Sequence, residues 1–157
     1  MILYHGSYMD FQTIDLEKCH PYKDFGRGFY LTDILQQAKD MAVKKARLFK
    51  GEPIVIQYEF DPAVLTGGNF LVKRFLKPDG DWADFIYKNR SRHLHFHHDY
   101  DIVIGPVADD GVAYLLDRYE EESLTLDELA RELEYRKNLN NQYFFGTEKA
   151  LNCLRRL

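Results

Sequence analysis

His5, Tyr30 and Gln142 lie far apart in this chain, and each has a side chain and a setting suited to a small-molecule site. His5 ends the apolar run Met1-Ile2-Leu3-Tyr4 and is followed by Gly6 and Ser7. Imidazole can donate or accept a hydrogen bond, and a neighbouring glycine lets a flat ligand come close to the main chain. Tyr30 follows Gly26-Arg27-Gly28-Phe29, and an aromatic face attracts a cation or a planar ring. Gln142, within Asn141-Gln142-Tyr143-Phe144-Phe145, can orient a ligand through its amide but cannot act as a base. Each signal is weak alone. Read singly, His5 fits a surface or capped histidine, and Tyr30 fits a strand tyrosine packed in a core.

Other clusters carry less. His93, His95 and His97 would share one face if their stretch were a strand, with His98 beside them, and paired histidines can bind zinc. Only Asp99 adds a ligand at suitable spacing, so the run reads as a polar edge or an acceptor-binding loop, and no metal is expected. The basic groups Lys44, Lys45, Arg47 and Lys50, and Arg90 and Arg92, read as solvated helix faces. Glu148 falls in the first turn of a helix, where a carboxylate complements the helix dipole. Asp109-Asp110 and Glu120-Glu121-Glu122 read as helix-end and surface charges. No Ser-His-Asp order, phosphate-binding loop or HExxH motif occurs.

The elements that must position these residues follow from periodicity and punctuation. Residues 2–5 and 28–32 read as short strands, the second entered through the turn at Gly26-Arg27-Gly28. Thr32 or Asp33 is expected to cap a helix whose apolar positions include Ala38, Met41, Ala42 and Ala46, with Gly51 as its stop. Residues 54–60 form a strand rich in β-branched and aromatic side chains. Residues 70–75 form another, and Trp82, Phe85, Ile86 and Asn89 share one helix face. A buried strand at 101–105 ends at Pro106, and a helix begins after Asp109-Asp110. Thr125 and Glu128 make a capping box for a helix to about residue 137. Residues 142–145 form a strand, and Thr147 opens a final helix carrying Ala150, Leu151 and Leu154. Strands and helices are unevenly interleaved, without the βαβ alternation of a dinucleotide fold.

A chain of 157 residues is the size of one domain, and a hydrophobic share of 45% against 29% charged residues gives it enough apolar matter for a core. It reads as a complete chain with a single domain over residues 1–157. A net charge of −4 gives no global attraction to nucleic acid or anionic lipid. The 11 Tyr and 11 Phe suit a sheet and a pocket that stacks planar rings. Two cysteines, Cys19 and Cys153, without a CxxC, fit a reducing cytoplasm, and no leader or membrane-crossing run is seen.

The order of Tyr4-His5-Gly6-Ser7, Phe25-Gly26-Arg27-Gly28-Phe29-Tyr30-Leu31-Thr32 and Asn141-Gln142-Tyr143-Phe144-Phe145 resembles the ADP-ribosyltransferase superfamily, in its diphtheria-toxin and poly(ADP-ribose) polymerase branch. Within it the chain looks closest to a bacterial family of small stand-alone proteins, DUF3990, which shares the Gly-Phe-Tyr-Leu-Thr segment, Asp-Ile-Val-Ile-Gly-Pro-Val-Ala-Asp-Asp and the Gln142 segment. The resemblance implies an α+β fold: a split, antiparallel-rich sheet with flanking helices. It implies NAD as co-substrate and mono-ADP-ribosyl transfer to a protein or nucleic-acid acceptor. His5 would bond a ribose hydroxyl and the Gly6 backbone would grip the nicotinamide amide. Ser7, Gly28 and Phe29 would complete the NAD contacts. Tyr30 would stack on nicotinamide, with Met41 or Tyr22 as the second wall, because Ala38 and Met41 stand where the polymerases carry a serine and a second stacking tyrosine. No membrane is implied. Small members of the superfamily often act as toxins, so an antitoxin protein is an expected partner.

Gln142 stands where the superfamily usually has a glutamate. A carboxylate about 4 Å from a developing oxocarbenium charge contributes roughly 4 kcal/mol at an effective dielectric of 20, or about a thousandfold in rate. An amide recovers a minority of this, so slow single transfer is expected rather than polymer elongation, and Gln142→Glu is expected to raise NAD hydrolysis. The alternative is a catalytically silent NAD-binding or protein-interaction module on the same fold.

Overall fold

The computed structural model describes residues 1–136 and 140–157. Strand β1 (Ile2–Ser7) pairs antiparallel with β3 (Ile54–Phe60), from Ile2 opposite Glu59 to Ser7 opposite Ile54. The short β7 (Leu154–Arg156) completes this sheet on the other edge of β3. A second sheet runs in the order β2 (Phe29–Leu31), β6 (Asn141–Phe145), β5 (Ile102–Pro106), β4 (Val72–Arg74), and only β4 and β5 are parallel. An isolated bridge joins the sheets: Tyr4 N–H donates to Thr32 O at 2.7 Å and Thr32 N–H to Tyr4 O at 3.0 Å. The fold is α+β, with an antiparallel-rich sheet split in two between β1 and β2.

Period-two alternation decides what each face of the second sheet buries. Phe29, Leu31, Ile102, Ile104, Tyr143 and Phe145 pack with Leu3, Ile56, Tyr58 and Phe60 of the first sheet. Val103 and Phe144 join the opposite core, built with Phe25, Phe75 and the buried faces of α2 (Gly80–Arg90), α3 (Asp110–Glu120) and α4 (Leu126–Glu134). Helix α1 (Leu35–Phe49) lies against β1, its buried stripe being Ala38, Ala42 and Ala46.

The expected strand at 54–60, the buried face of α2 and the Thr125–Glu128 capping box are all present. The differences are local. Ile34, rather than Thr32 or Asp33, occupies the cap position of α1; the Thr32 hydroxyl instead accepts the Ile34 N–H in the turn before it. That helix ends on Lys50, in the left-handed region at φ 55°, ahead of Gly51. Helix α4 stops at Glu134, and residue 137 lies outside the described residues. The last helix, α5 (Glu148–Leu151), is one turn, and Leu154 begins β7 because the edge of β3 offers it backbone partners and the inter-sheet core takes its side chain. The histidine run is a loop, with His95 at φ 48° and the Ser91 hydroxyl accepting the His93 and Leu94 N–H groups, so no strand face gathers the imidazoles. Among the described residues no helix is long and apolar enough to cross a membrane, and both cysteines are free.

Candidate functional site

His5 sits in β1 beside the split. Its Nδ1 lies 2.8 Å from Tyr30 O; a carbonyl only accepts, so Nδ1 carries the proton and Nε2 is left as an acceptor. The ring stacks on Phe29 at 4.5 Å between centroids and meets the edge of Phe11 at 5.8 Å. Burial above all, and then the Lys45 ammonium, lower its pKa from 6.5 to about 3, so the imidazole is neutral at physiological pH. Lys45 reaches in from α1, donates to Gly6 O at 2.8 Å and brings Nζ to 3.5 Å from His5 Nε2. Burial and the neighbouring Lys23 lower the pKa of Lys45 to about 8. Among the described residues neither Lys45 nor Lys23 has a carboxylate at ion-pair distance.

Tyr30 extends from β2 on the opposite side from Phe29. Its hydroxyl donates to Gly26 O at 2.7 Å and accepts the Phe25 N–H at 2.9 Å, closing the turn in which Gly26 adopts φ 89°. Phe144 meets its ring edge-on at 5.3 Å, and the Lys23 ammonium sits 5.3 Å from the ring centroid. Burial pushes the Tyr30 hydroxyl well above its usual pKa, so it remains a donor. Gln142 lies two residues from Phe144 along β6, so alternation gives it the same face. Its Nε2 donates to Asp24 Oδ2 at 2.8 Å and, more weakly, to Pro106 O at 3.4 Å. Asp24 Oδ1 in turn accepts from Arg90, at 2.8 Å from Nε and 2.6 Å from Nη2.

The structure thus links His5, Tyr30 and Gln142: His5 bonds the Tyr30 carbonyl, and the segment 23–26 bonds both Tyr30 and Gln142. The glycines and the serine expected beside NAD also serve the fold. A methyl group at position 6 would collide with the Ala38 carbonyl and the Ala42 N–H, so this glycine admits α1 close to β1. At position 28 a methyl group would strike the Phe144 ring. Ser7 is buried and bonds only locally, donating to Met9 O at 2.7 Å and accepting the Met9 N–H at 3.2 Å. Phe29 is buried beneath His5, a support for the imidazole. Met41 lies beside Gly6 with 45% of its surface exposed, and Tyr22 carries the Arg92 guanidinium over its ring at 4.7 Å.

Lys23, Asp24, Lys45 and Arg90 belong to this group and escape a reading of the sequence. Lys45 and Arg90 are half-buried, unlike Lys44, Arg47, Lys50 and Arg92, which are exposed as expected. A signal for Lys45 existed: it falls three residues after Ala42 and seven after Ala38, on the buried stripe of α1. His98, from the histidine loop, supports the same turn, with Nε2 2.8 Å from Phe25 O. Among the described residues no three His, Cys, Asp or Glu side chains are grouped to hold a metal.

A family model described as protein of unknown function (DUF3990) matches residues 1–156. No curated protein and no solved structure matches the chain.

Proposed function

The chain belongs to the DUF3990 family, and we propose that it is an NAD-dependent mono-ADP-ribosyltransferase acting on a macromolecular acceptor, protein or nucleic acid. The observation that carries this reading is the convergence of the three motif residues, through the Tyr30 carbonyl and the segment 23–26, on one hydrogen-bonded group beside the sheet split. The chemistry of the group suits NAD. A cation, the Lys23 ammonium, already lies over the Tyr30 ring, where a nicotinamide pyridinium would gain about 0.5–2 kcal/mol after displacing it. His5 offers an acceptor at Nε2, which a ribose hydroxyl would take over from Lys45 Nζ at 3.5 Å. Lys45 and Lys23, without carboxylate partners among the described residues, suit the diphosphate.

In the proposed reaction the bond between ribose C1′ and the nicotinamide nitrogen breaks, and its electron pair neutralises the pyridinium. An acceptor oxygen or nitrogen then bonds to C1′ and loses its proton to solvent or to a base on the acceptor. Nicotinamide leaves as a neutral molecule, and the transition state resembles an oxocarbenium ion. His5 and Tyr30 hold the nicotinamide riboside, and Gln142 orients the ribose. A neutral amide at that place suits slow single transfer. The family resemblance extends the reading to a toxin held in check by an antitoxin protein.

A second reading, a silent NAD-binding or interaction module, draws on the Lys23 side chain that lies over the Tyr30 ring. Purified protein with NAD, followed by calorimetry and by nicotinamide release, separates the two. Transfer activity is expected to release nicotinamide, with His5→Ala abolishing the release. Binding without release selects the silent module, and absence of both overturns the NAD reading.

A further inference from the structure

We propose that Asp24 is a positioning residue for Gln142, fixing the amide so that Oε1 faces the ligand and polarising its carbonyl. The kinetic half of this rests on the NAD reading above. Amide orientation is set by what surrounds the two ends. Gln142 Nε2 meets only acceptors, Asp24 Oδ2 at 2.8 Å and Pro106 O at 3.4 Å. Turning the amide over would press Oε1 against both, oxygen against oxygen. Among the described residues Oε1 receives no protein hydrogen bond, and no side-chain polar atom is both buried and unpartnered, so Oε1 is open to solvent. It can accept a ligand hydroxyl much as a carboxylate oxygen would.

Asp24 is itself held in place. Its side chain is 13% exposed, Arg90 occupies Oδ1, and the following two residues are bonded to the Tyr30 hydroxyl. Oδ2 therefore remains for Gln142, and a charge-assisted hydrogen bond from a neutral amide polarises its carbonyl. A carboxylate from the turn after Pro21, held by Arg90, and an amide from β6 together present a directed, polarised acceptor.

This arrangement reverses the outcome expected for Gln142→Glu. A glutamate there would face Asp24 at hydrogen-bond distance, and two carboxylates so close raise the pKa of one of them. Exchanging the two groups, as Asp24→Asn with Gln142→Glu, keeps one charge and one amide. In nicotinamide-release kinetics, Asp24→Asn is expected to lower kcat by about tenfold or more with a much smaller change in KM. The double variant is expected to restore at least wild-type kcat. Gln142→Glu alone is expected to fall below the double variant at neutral pH, with its pH profile displaced upward. Wild-type kcat in Asp24→Asn, or Gln142→Glu matching the double variant, overturns the proposal.

A second readout does not depend on turnover. Nitrogen-15 NMR of the Gln142 side chain is expected to show a downfield-shifted, slowly exchanging amide proton, which reverts to ordinary solvent-exposed glutamine behaviour in Asp24→Asn. Exposed-glutamine behaviour in the wild type overturns the positioning role. A wild type that shows the protected amide but never releases nicotinamide overturns the transferase reading and leaves the positioning intact. Should Asp24→Asn fail to fold, the wild-type amide spectrum and the pH profile of Gln142→Glu decide.

Discussion

His5 is a histidine that the fold keeps uncharged, and this has a measurable cost in acid. Its folded-state pKa of about 3 lies below the unfolded 6.5, so protons bind the unfolded chain more tightly. Its penalty is absent above pH 6.5, grows as pH falls toward 3, and is fully present below that. Urea unfolding from pH 7 to pH 3.5 is expected to show a loss of stability that His5→Gln reduces; an unchanged slope would remove the buried, neutral imidazole from the account. Lys45 has the same sign in another window. Its pKa of about 8 lies below the usual 10.5, so stability rises between those values and the full penalty is present at pH 7. Lys45→Met is expected to stabilise the protein by about 1–3 kcal/mol at pH 7 while weakening NAD binding, checked by urea midpoint and calorimetry. A variant that is stabilised and binds NAD equally well would show that the cation serves neither stability nor ligand. His5, Tyr30 and Gln142 were legible in the sequence because they sit in ordered motifs. Asp24 was not: it lies in an irregular turn, 118 positions from the amide it holds, and no local pattern encodes that contact.

Periodicity made the longer elements legible, because their buried faces repeat within a few residues. The stripe of α1, the face of α2 and the capping box of α4 all belong to this class. Short elements were less legible because tertiary pairing decides them. Leu154 continues a helical spacing from Ala150 and Leu151, yet the free edge of β3 draws it into β7. The histidine run alternates like a strand, but the Ser91 hydroxyl folds its first residues into a turn. The meaning of Gly6 also belongs at this scale. It permits close contact between α1 and β1, and that contact brings Lys45 to His5. Gly6→Ala is therefore expected to cost about 1–3 kcal/mol by overpacking. Gly80→Ala, at the first position of α2 with only Ala130 nearby, is expected to be neutral or mildly stabilising. Denaturant midpoints check both; equal effects would mean that α1 does not bear on β1 as described.

At the scale of the molecule, the second sheet separates two cores, and the residues of the candidate site are divided between its two faces. Phe29 faces the first sheet and supports His5, while Tyr30 faces the helices and is closed by the turn at Phe25. A site so divided keeps its geometry only if the two cores fold together. Phe145 belongs to the inter-sheet core, edge-on to Phe60 at 5.5 Å, and Phe144, its neighbour in β6, belongs to the helix core. Truncating a fully buried phenylalanine costs about 3–5 kcal/mol. Trp82, the single tryptophan, is fully buried in the helix core with Nε1 donating to Pro106 O, so its fluorescence reports on that core alone. If β6 couples the cores, Phe145→Ala is expected to lower the urea midpoint seen by Trp82 fluorescence as much as that seen by circular dichroism, and Phe144→Ala to move both probes together as well. A Trp82 transition left in place while the circular dichroism shifts would mean that the cores unfold separately. His5 and Gln142 would then be held by independent bodies, and their alignment would depend on the Tyr30 carbonyl bond and the segment 23–26 rather than on the shared sheet.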